Sequence, residues 1–365
     1  MDFDTTVFVL QGISTALAIF TNMFLVYLVK THTKNQIGNY KYLLIIFACF
    51  ETFYSIVVFV GMPTHFMADQ SWLVFTNKGL IGGTRFAVLG PGLYCTLYEI
   101  WVGLVVIHFV YRYMVVCREK ATYYIDDRLS IKMFLLCLYV CHFIYSFICG
   151  MWFCTREQIL PVLAAKVRAQ FGIEHPEELG YILLRTRDSS GKVSAAGITT
   201  ILNHYVLVGF SVAIIFYCGI SIWIRIQRMG QDQAQARRHR LQRQMFITLV
   251  IQTMVPILFC HIPTLVYLTF PFWDGDFSFG KASMLFSLLT SINKFCDPFI
   301  VIVCIREYRR AALKLFKVRC KAVIGPLSSS SQETPLPDAT TRTAATQAQT
   351  THQNDAEIST GDGHE

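Results

Sequence analysis

The stretch ILNHYVLVGFSVAIIFYCGISIWI, Ile201–Ile224, decides the fold. It runs 24 residues without one Asp, Glu, Lys or Arg. As a helix rising about 1.5 Å per residue it spans about 36 Å, enough to cross a hydrocarbon core of about 30 Å. A barrel strand crosses with only about 10 residues, so a block of this length reads as a membrane helix. Its C-terminal flank changes character at once, with Arg225, Arg228, Arg237, Arg238, Arg240 and Arg243 before the next apolar block.

Six further blocks are long and apolar enough to cross: Val7–Val29, Tyr42–Met62, Ala87–Val110, Met133–Phe153, Met245–Thr269 and Ala282–Ile305. Composition agrees. Of 365 residues 53% are hydrophobic and only 15% charged, against roughly 25% in ordinary soluble domains. That excess of apolar surface has to face lipid rather than water. The expected fold is an all-α membrane protein, a bundle of seven transmembrane helices occupying 7–305, with a short N-terminus 1–6 before it. No repeat of fixed period and no inverted half-to-half symmetry accompanies it.

Basic residues orient such a bundle, because Lys and Arg collect on the cytoplasmic side. Leaving Arg112 aside, twenty fall in the first, third and fifth connections and in residues 306–321; nine fall in the other connections, and none precedes the first block. The reading is an N-terminus outside and a C-terminus in the cytoplasm. The net charge of +8 then marks loops beside anionic headgroups and asks for no nucleic acid. Residues 306–322 alternate basic and apolar side chains and read as an amphipathic helix lying in the inner interface. Residues 323–365, rich in Ser, Thr, Gln, Pro and Asp, read as a disordered cytoplasmic tail. In the long fourth connection Pro161–Phe171 reads as a helix, part of a lid over the outer mouth.

Enzyme chemistry finds no support. There is no P-loop, no His-Glu-x-x-His, no nucleophile elbow and no Cys-x-x-Cys pair. No cofactor or metal is expected. A seven-helix ligand-gated channel and a small-solute transporter share the composition. The channel of the insect odorant-receptor kind requires the opposite orientation.

Local motifs carry more. The third block ends His108-Phe109-Val110-Tyr111-Arg112-Tyr113. The first connection runs Ile37-Gly38-Asn39-Tyr40-Lys41-Tyr42-Leu43-Leu44-Ile45, and the second block continues Phe47-Ala48-Cys49-Phe50-Glu51 and Tyr54-Ser55. The sixth block holds Gln252, Pro256 and Cys260-His261-Ile262-Pro263; the seventh ends Asp297-Pro298-Phe299-Ile300-Val301, with Tyr308-Arg309 after it. In this order the set resembles the nematode Str family of seven-transmembrane G-protein-coupled chemoreceptors, from about residue 22 to 310.

The resemblance implies a rhodopsin-like receptor that binds a small molecule in the outer half of the bundle and activates a heterotrimeric G protein, in the plasma membrane and, for this family, the ciliary membrane of sensory neurons. It implies a ligand pocket near Tyr94, Tyr98, Glu99, Asn203, His204, His261, Tyr267 and Thr290. Coupling and switching fall to Tyr111, Arg112, Tyr113, Pro256, Pro263, Asp297 and Pro298. Against the rhodopsin-type pattern, Tyr111 replaces an acidic residue, Asp297 an asparagine, Val301 a tyrosine and His261 a tryptophan. That pattern also joins the start of the third helix to the connection after the fourth by a disulfide. Here Cys95 lies 17 residues before Arg112, about 25 Å along a helix, which is a poor spacing for that bridge, so two separate thiols are the favoured reading of Cys95 and Cys154 and a disulfide the alternative.

Ionisable residues inside spanning segments are functional candidates by default. Lys294 and Asp297, three apart, share a helical face. With Asn22, Glu51 and Asn293 they make an expected polar network serving packing and switching. Arg112 needs either a partner or an outward reach to the headgroups. Pro256 and Pro263 are each expected to remove a backbone hydrogen bond from the sixth helix and make it a lever.

Overall fold

A computed structural model describes residues 3–33, 39–118, 141, 145, 159–187, 190–228, 236–272 and 279–324. Within them six helices are long and apolar enough to cross a membrane. The fourth expected span, Met133–Phe153, falls almost wholly outside the described residues, as does the tail beyond Ile324.

Helix α1 is Phe3–His32, α2 Tyr40–Gly61 and α3 Leu89–Cys117. After a short helix α4, Pro161–Phe171, the fifth span is α5, Ala195–Arg228. The sixth span is α6, Ala236–Pro256, a π-helical turn Ile257–His261, and α7, Ile262–Thr269. The seventh is α8, Leu285–Cys304, followed by α9, Arg306–Ile324. Helix α1 starts at Phe3, so the expected break at residue 6 is not a helix boundary. Residues from Val318 belong to a second compact unit.

The helices face lipid with apolar side chains: Phe20, Ile46, Val206, Phe210 and Phe216 are all more than half exposed. Inward they meet through two buried clusters. One joins Leu28, Tyr40, Leu44, Val301 and Tyr308; the other joins Phe47, Tyr54, Tyr94, Trp101 and Phe286. Tyr308 ties α9 to the end of α1 by a 2.8 Å bond to Thr33 Oγ1.

One element departs from an all-helical expectation. Strands β1 (Pro63–Ala68), β2 (Ser71–Thr76) and β3 (Gly180–Arg185) form an antiparallel sheet in the order β1-β2-β3. The hairpin turns on Asp69 and Gln70, both at positive φ (50° and 54°), as a two-residue type I′ connection requires. Neither is glycine, so the usual hairpin signal is missing from the sequence. Phe66, Leu73, Phe75 and Leu183 from the sheet bury against Leu163 and Val167 of α4. Asp69 pairs with Lys166 of α4 at 2.5 Å. The expected helix in this connection has the predicted bounds.

The sheet is bound to the bundle end at which α2 stops and α3 starts. Met62, at φ 41°, closes α2, and Pro63 cannot continue a helix. Ser283 and Ser287, at the start of the seventh span, donate to the carbonyls of His65 and Pro63. Thr186, just past β3, donates to the Pro271 carbonyl at the end of the sixth span, at 2.8 Å. Gly61 and Gly90 let α2 and α3 touch backbone to backbone here: a Cβ on Gly61 would stand 3.0 Å from Gly90 Cα.

Candidate functional site

Three groups of side chains stack along the bundle from the sheet to Arg112. The first lies between α3, α5 and the π turn. Tyr98 and His261 share a 2.6 Å hydrogen bond between the phenol and Nδ1. The Tyr98 ring stacks on His204 with centroids 6.0 Å apart. His204 Nδ1 in turn lies 3.8 Å from Glu99 Oε1. Glu99, Tyr98, His204 and His261 thus form one chain of polar groups in apolar surroundings. Trp101 packs on His261 at 5.6 Å, so an indole does occupy this level, contributed by α3 instead of the sixth span.

The remaining expected pocket residues stand elsewhere. Tyr94 and Tyr267 pack against His65 of β1, at 5.3 Å and 5.6 Å between centroids. Thr290, beside Tyr94, gives its hydroxyl to the Ser287 carbonyl at 2.8 Å. Asn203 is half-buried and accepts from Tyr145 at 3.5 Å, so it does not join His204. Successive helical residues point about 100° apart, and here that turns Asn203 away from the side of α5 on which His204 meets Tyr98. His65, fully buried among Trp72, Tyr94, Tyr267 and Phe286, was not singled out in the sequence. Burial pushes its imidazole down to about 3, because an apolar site penalises the charged form.

The second group gathers the residues of the expected network, with the Asn293 side chain buried but making no hydrogen bond. Asn22, Glu51, Asn293, Lys294 and Asp297 are each no more than 2% exposed. Lys294 Nζ lies 4.3 Å from the Tyr54 ring centroid and 4.4 Å from that of Trp101. Glu51 and Asp297 act on it electrostatically. A cation–π contact contributes up to about 2 kcal/mol when desolvated, whereas burying an ammonium costs several kcal/mol. The two rings offset only part of that, and Glu51 and Asp297 act on the ammonium from beyond ion-pair distance. Pro298, inside α8, leaves the Lys294 carbonyl without its helical donor, four residues back. Asn22 Nδ2 from α1 supplies one at 3.2 Å. A small cavity between Asp297, His108, Gln252 and Thr253 lies next to this group.

The third group is at the far end of α3. Arg112 is 2% exposed, not an outward-reaching anchor. Its Nη2 donates to Gln242 Oε1 of α6 at 2.6 Å, and its guanidinium carbon lies 5.1 Å from the Tyr40 ring centroid. Tyr111, in the position of the acidic residue, stacks on Tyr40 at 6.0 Å. Tyr113 meets Tyr217 of α5 at 5.7 Å. Gln242 was missed in the sequence because a glutamine in an arginine-rich run reads as solvated surface.

Between its prolines the sixth span carries a π-helical turn. Pro256 ends α6, the π turn follows, and Pro263 falls in the first turn of α7, where a missing N–H is tolerated. The Ile262 N–H reaches back five residues to the Ile257 carbonyl, the π register. Such bulges concentrate at functional sites.

Comparison with known proteins agrees with this geometry. Residues 7–313 match the family model described as serpentine type 7TM GPCR chemoreceptor Str. The serpentine receptor class r-10 of Caenorhabditis elegans is 25% identical over 300 residues, which cover 79% of this chain and 84% of that protein. The G-protein coupled receptor str-33 of the same organism is 25% identical over 310 residues, 82% of this chain and 87% of its own. Among solved structures, squid rhodopsin superposes with a TM-score of 0.57 at 14% identity, over 87% of this chain and 86% of its own; that likeness concerns the fold. The described helices are therefore six of a seven-helix, multi-pass membrane receptor, and the chain belongs to the Str family of serpentine chemoreceptors.

Proposed function

We propose that this chemoreceptor sits in the plasma membrane with its sheet end outside and its Arg112 end in the cytosol. There it binds a small molecule in the half of the bundle nearer the sheet and activates a heterotrimeric G protein. The observation that carries this reading is the buried Arg112–Gln242 bond. It joins α3 to α6 at the end where Arg225, Arg228, Arg240, Arg243 and Arg306 gather. The basic count supports the same orientation.

A ligand among Tyr98, His204 and His261 touches both α3 and the π turn. Displacing the π turn swings α6 about Pro256, and the latch to Arg112 opens at the other end. A ligand moves such an equilibrium only by its differential affinity for the two arrangements. The ciliary membrane of a sensory neuron is the expected site, by family.

The test reconstitutes the full chain in vesicles with a heterotrimeric G protein and follows guanine-nucleotide exchange across a panel of volatile and non-volatile small molecules. Acceleration by at least one compound, lost in Arg112→Ala, supports the reading. Protease cleavage of the 229–235 connection only from the outer side of intact cells would sink it.

A further inference from the structure

At the sheet end the described residues pack tightly. His65 is a buried wedge among Tyr94, Tyr267 and Phe286. Both flanks of the sheet are hydrogen-bonded to the spans, through Ser283 and Ser287 on one side and Thr186 on the other. Among the described residues, the sheet lies between that side and the Tyr98–His261 pair.

The side of the bundle is different. A narrow cavity runs between α3, α5 and the π turn, with Trp101 and His261 among its walls and Ser211, Val212, Phe216 and Pro256 around them. Val212 is 37% exposed and Phe216 63%, on the surface that α5 turns to lipid. The gap has a local cause: a π turn is wider than an α turn, and Pro256 leaves a backbone bond unmade beside it. Among the described residues, no charged side chain lines it. Its hydroxyls are committed to their own helices, Ser211 to the Leu207 carbonyl at 2.7 Å and Thr253 to that of Leu249 at 2.8 Å. His261 spends Nδ1 on Tyr98, which leaves Nε2 as the ring's remaining polar atom.

We infer that ligands enter from the bilayer, through this cleft between the fifth and sixth spans, and that the class admitted is small, uncharged and largely apolar with one hydrogen-bonding group for His261. Charged ligands are turned away because nothing in the walls pairs with them. Apolar ligands are delivered by partitioning, since each methylene raises the bilayer share roughly fourfold. The inference rests on the receptor reading above, but it concerns occupancy and not signalling.

The test uses the full chain in phosphatidylcholine vesicles with a diazirine-bearing octanol as probe, irradiated and mapped by peptide mass spectrometry. Labelling at Ser211, Val212 and Ile257 that excess 1-octanol competes away is the expected result. Val212→Trp closes the mouth and that saturable labelling is lost, while Phe216→Ala widens it and labelling rises. Val206→Trp, on the lipid face near the outer end of α5, leaves it unchanged. Labelling that octanol does not compete for, labelling unmoved by both mouth variants, or saturable labelling confined to Trp72 and Tyr267 at the sheet end would each overturn the inference. No G protein is present in this test, so a saturable site here together with no nucleotide exchange in the G-protein reconstitution counts against the signalling reading alone.

Discussion

Arg112 of α3 is held by Gln242 of α6 through a 2.6 Å hydrogen bond, with the Tyr40 ring against the guanidinium. One partner is charged and the other neutral, so the bond is worth about 1.5–3 kcal/mol. Removing it shifts a two-state equilibrium roughly ten- to a hundredfold. Gln242→Ala should therefore raise nucleotide exchange in the absence of ligand, measured on the reconstituted receptor. Gln242→Glu should lower it, because a carboxylate strengthens the bond. Basal exchange that is equal in all three proteins would show that the bond does not restrain the sixth span.

Asn22 and Pro298 form a second pairing across helices. The proline leaves the Lys294 carbonyl without a helical donor, and Asn22 replaces it at 3.2 Å while also reaching the Ala18 carbonyl at 2.9 Å. Asn22→Ala leaves a buried carbonyl unpaired, at a cost of about 1–3 kcal/mol. Thermal unfolding in detergent should show the loss. Adding Pro298→Ala restores the helical N–H, so the double variant should recover most of it. Additive losses in the double variant would mean that the asparagine acts through something else.

Lys294 is the only basic side chain buried with Glu51 and Asp297 among the described residues. Lys294→Met strands two carboxyl groups in an apolar site, and breaking one side of a buried charge group costs about 3–5 kcal/mol. Asp297→Asn in the same chain removes part of that charge and should return part of the stability. The comparison is by melting temperature at fixed detergent and pH. A single Lys294→Met that melts with the parent protein would exclude an electrostatic role for the lysine.

How much of this was legible beforehand divides along physical lines. Lipid imposes length and apolarity on each span, so the run at Ile201–Ile224 reads as a helix without further information, and ionisable residues inside such runs stand out. Glu51, Lys294, Asp297 and Arg112 could be picked in this way. The hairpin was not legible, because Asp69-Gln70 lacks the glycine that marks a type I′ turn and the third strand lies about a hundred residues downstream. Gln242 and His65 were not legible either: each acquires its role from a partner on another element. Asn203, adjacent to His204 in the chain, stands on another helical face and meets Tyr145 instead.

His65 makes the sheet end sensitive to acid. Its ring is buried, with a pKa near 3, while in the unfolded chain a histidine titrates near 6.5. The unfolded state thus binds the proton first as pH falls, so stability holds above about pH 6.5 and declines from there toward pH 3. At pH 5 the loss from this group is about 2 kcal/mol. Hydrogen exchange of the β1 and β2 amides should quicken between pH 7 and pH 5, after correction for the intrinsic rate, and His65→Phe should remove that dependence. The phenylalanine keeps an aromatic ring against Tyr94, Tyr267 and Phe286 and gives up the imidazole hydrogen bond from Trp72, 3.2 Å long. A uniform drop in protection at every pH would therefore report that bond, whereas only a change in slope reports the titration. A slope that survives in His65→Phe would assign the acid response to another group.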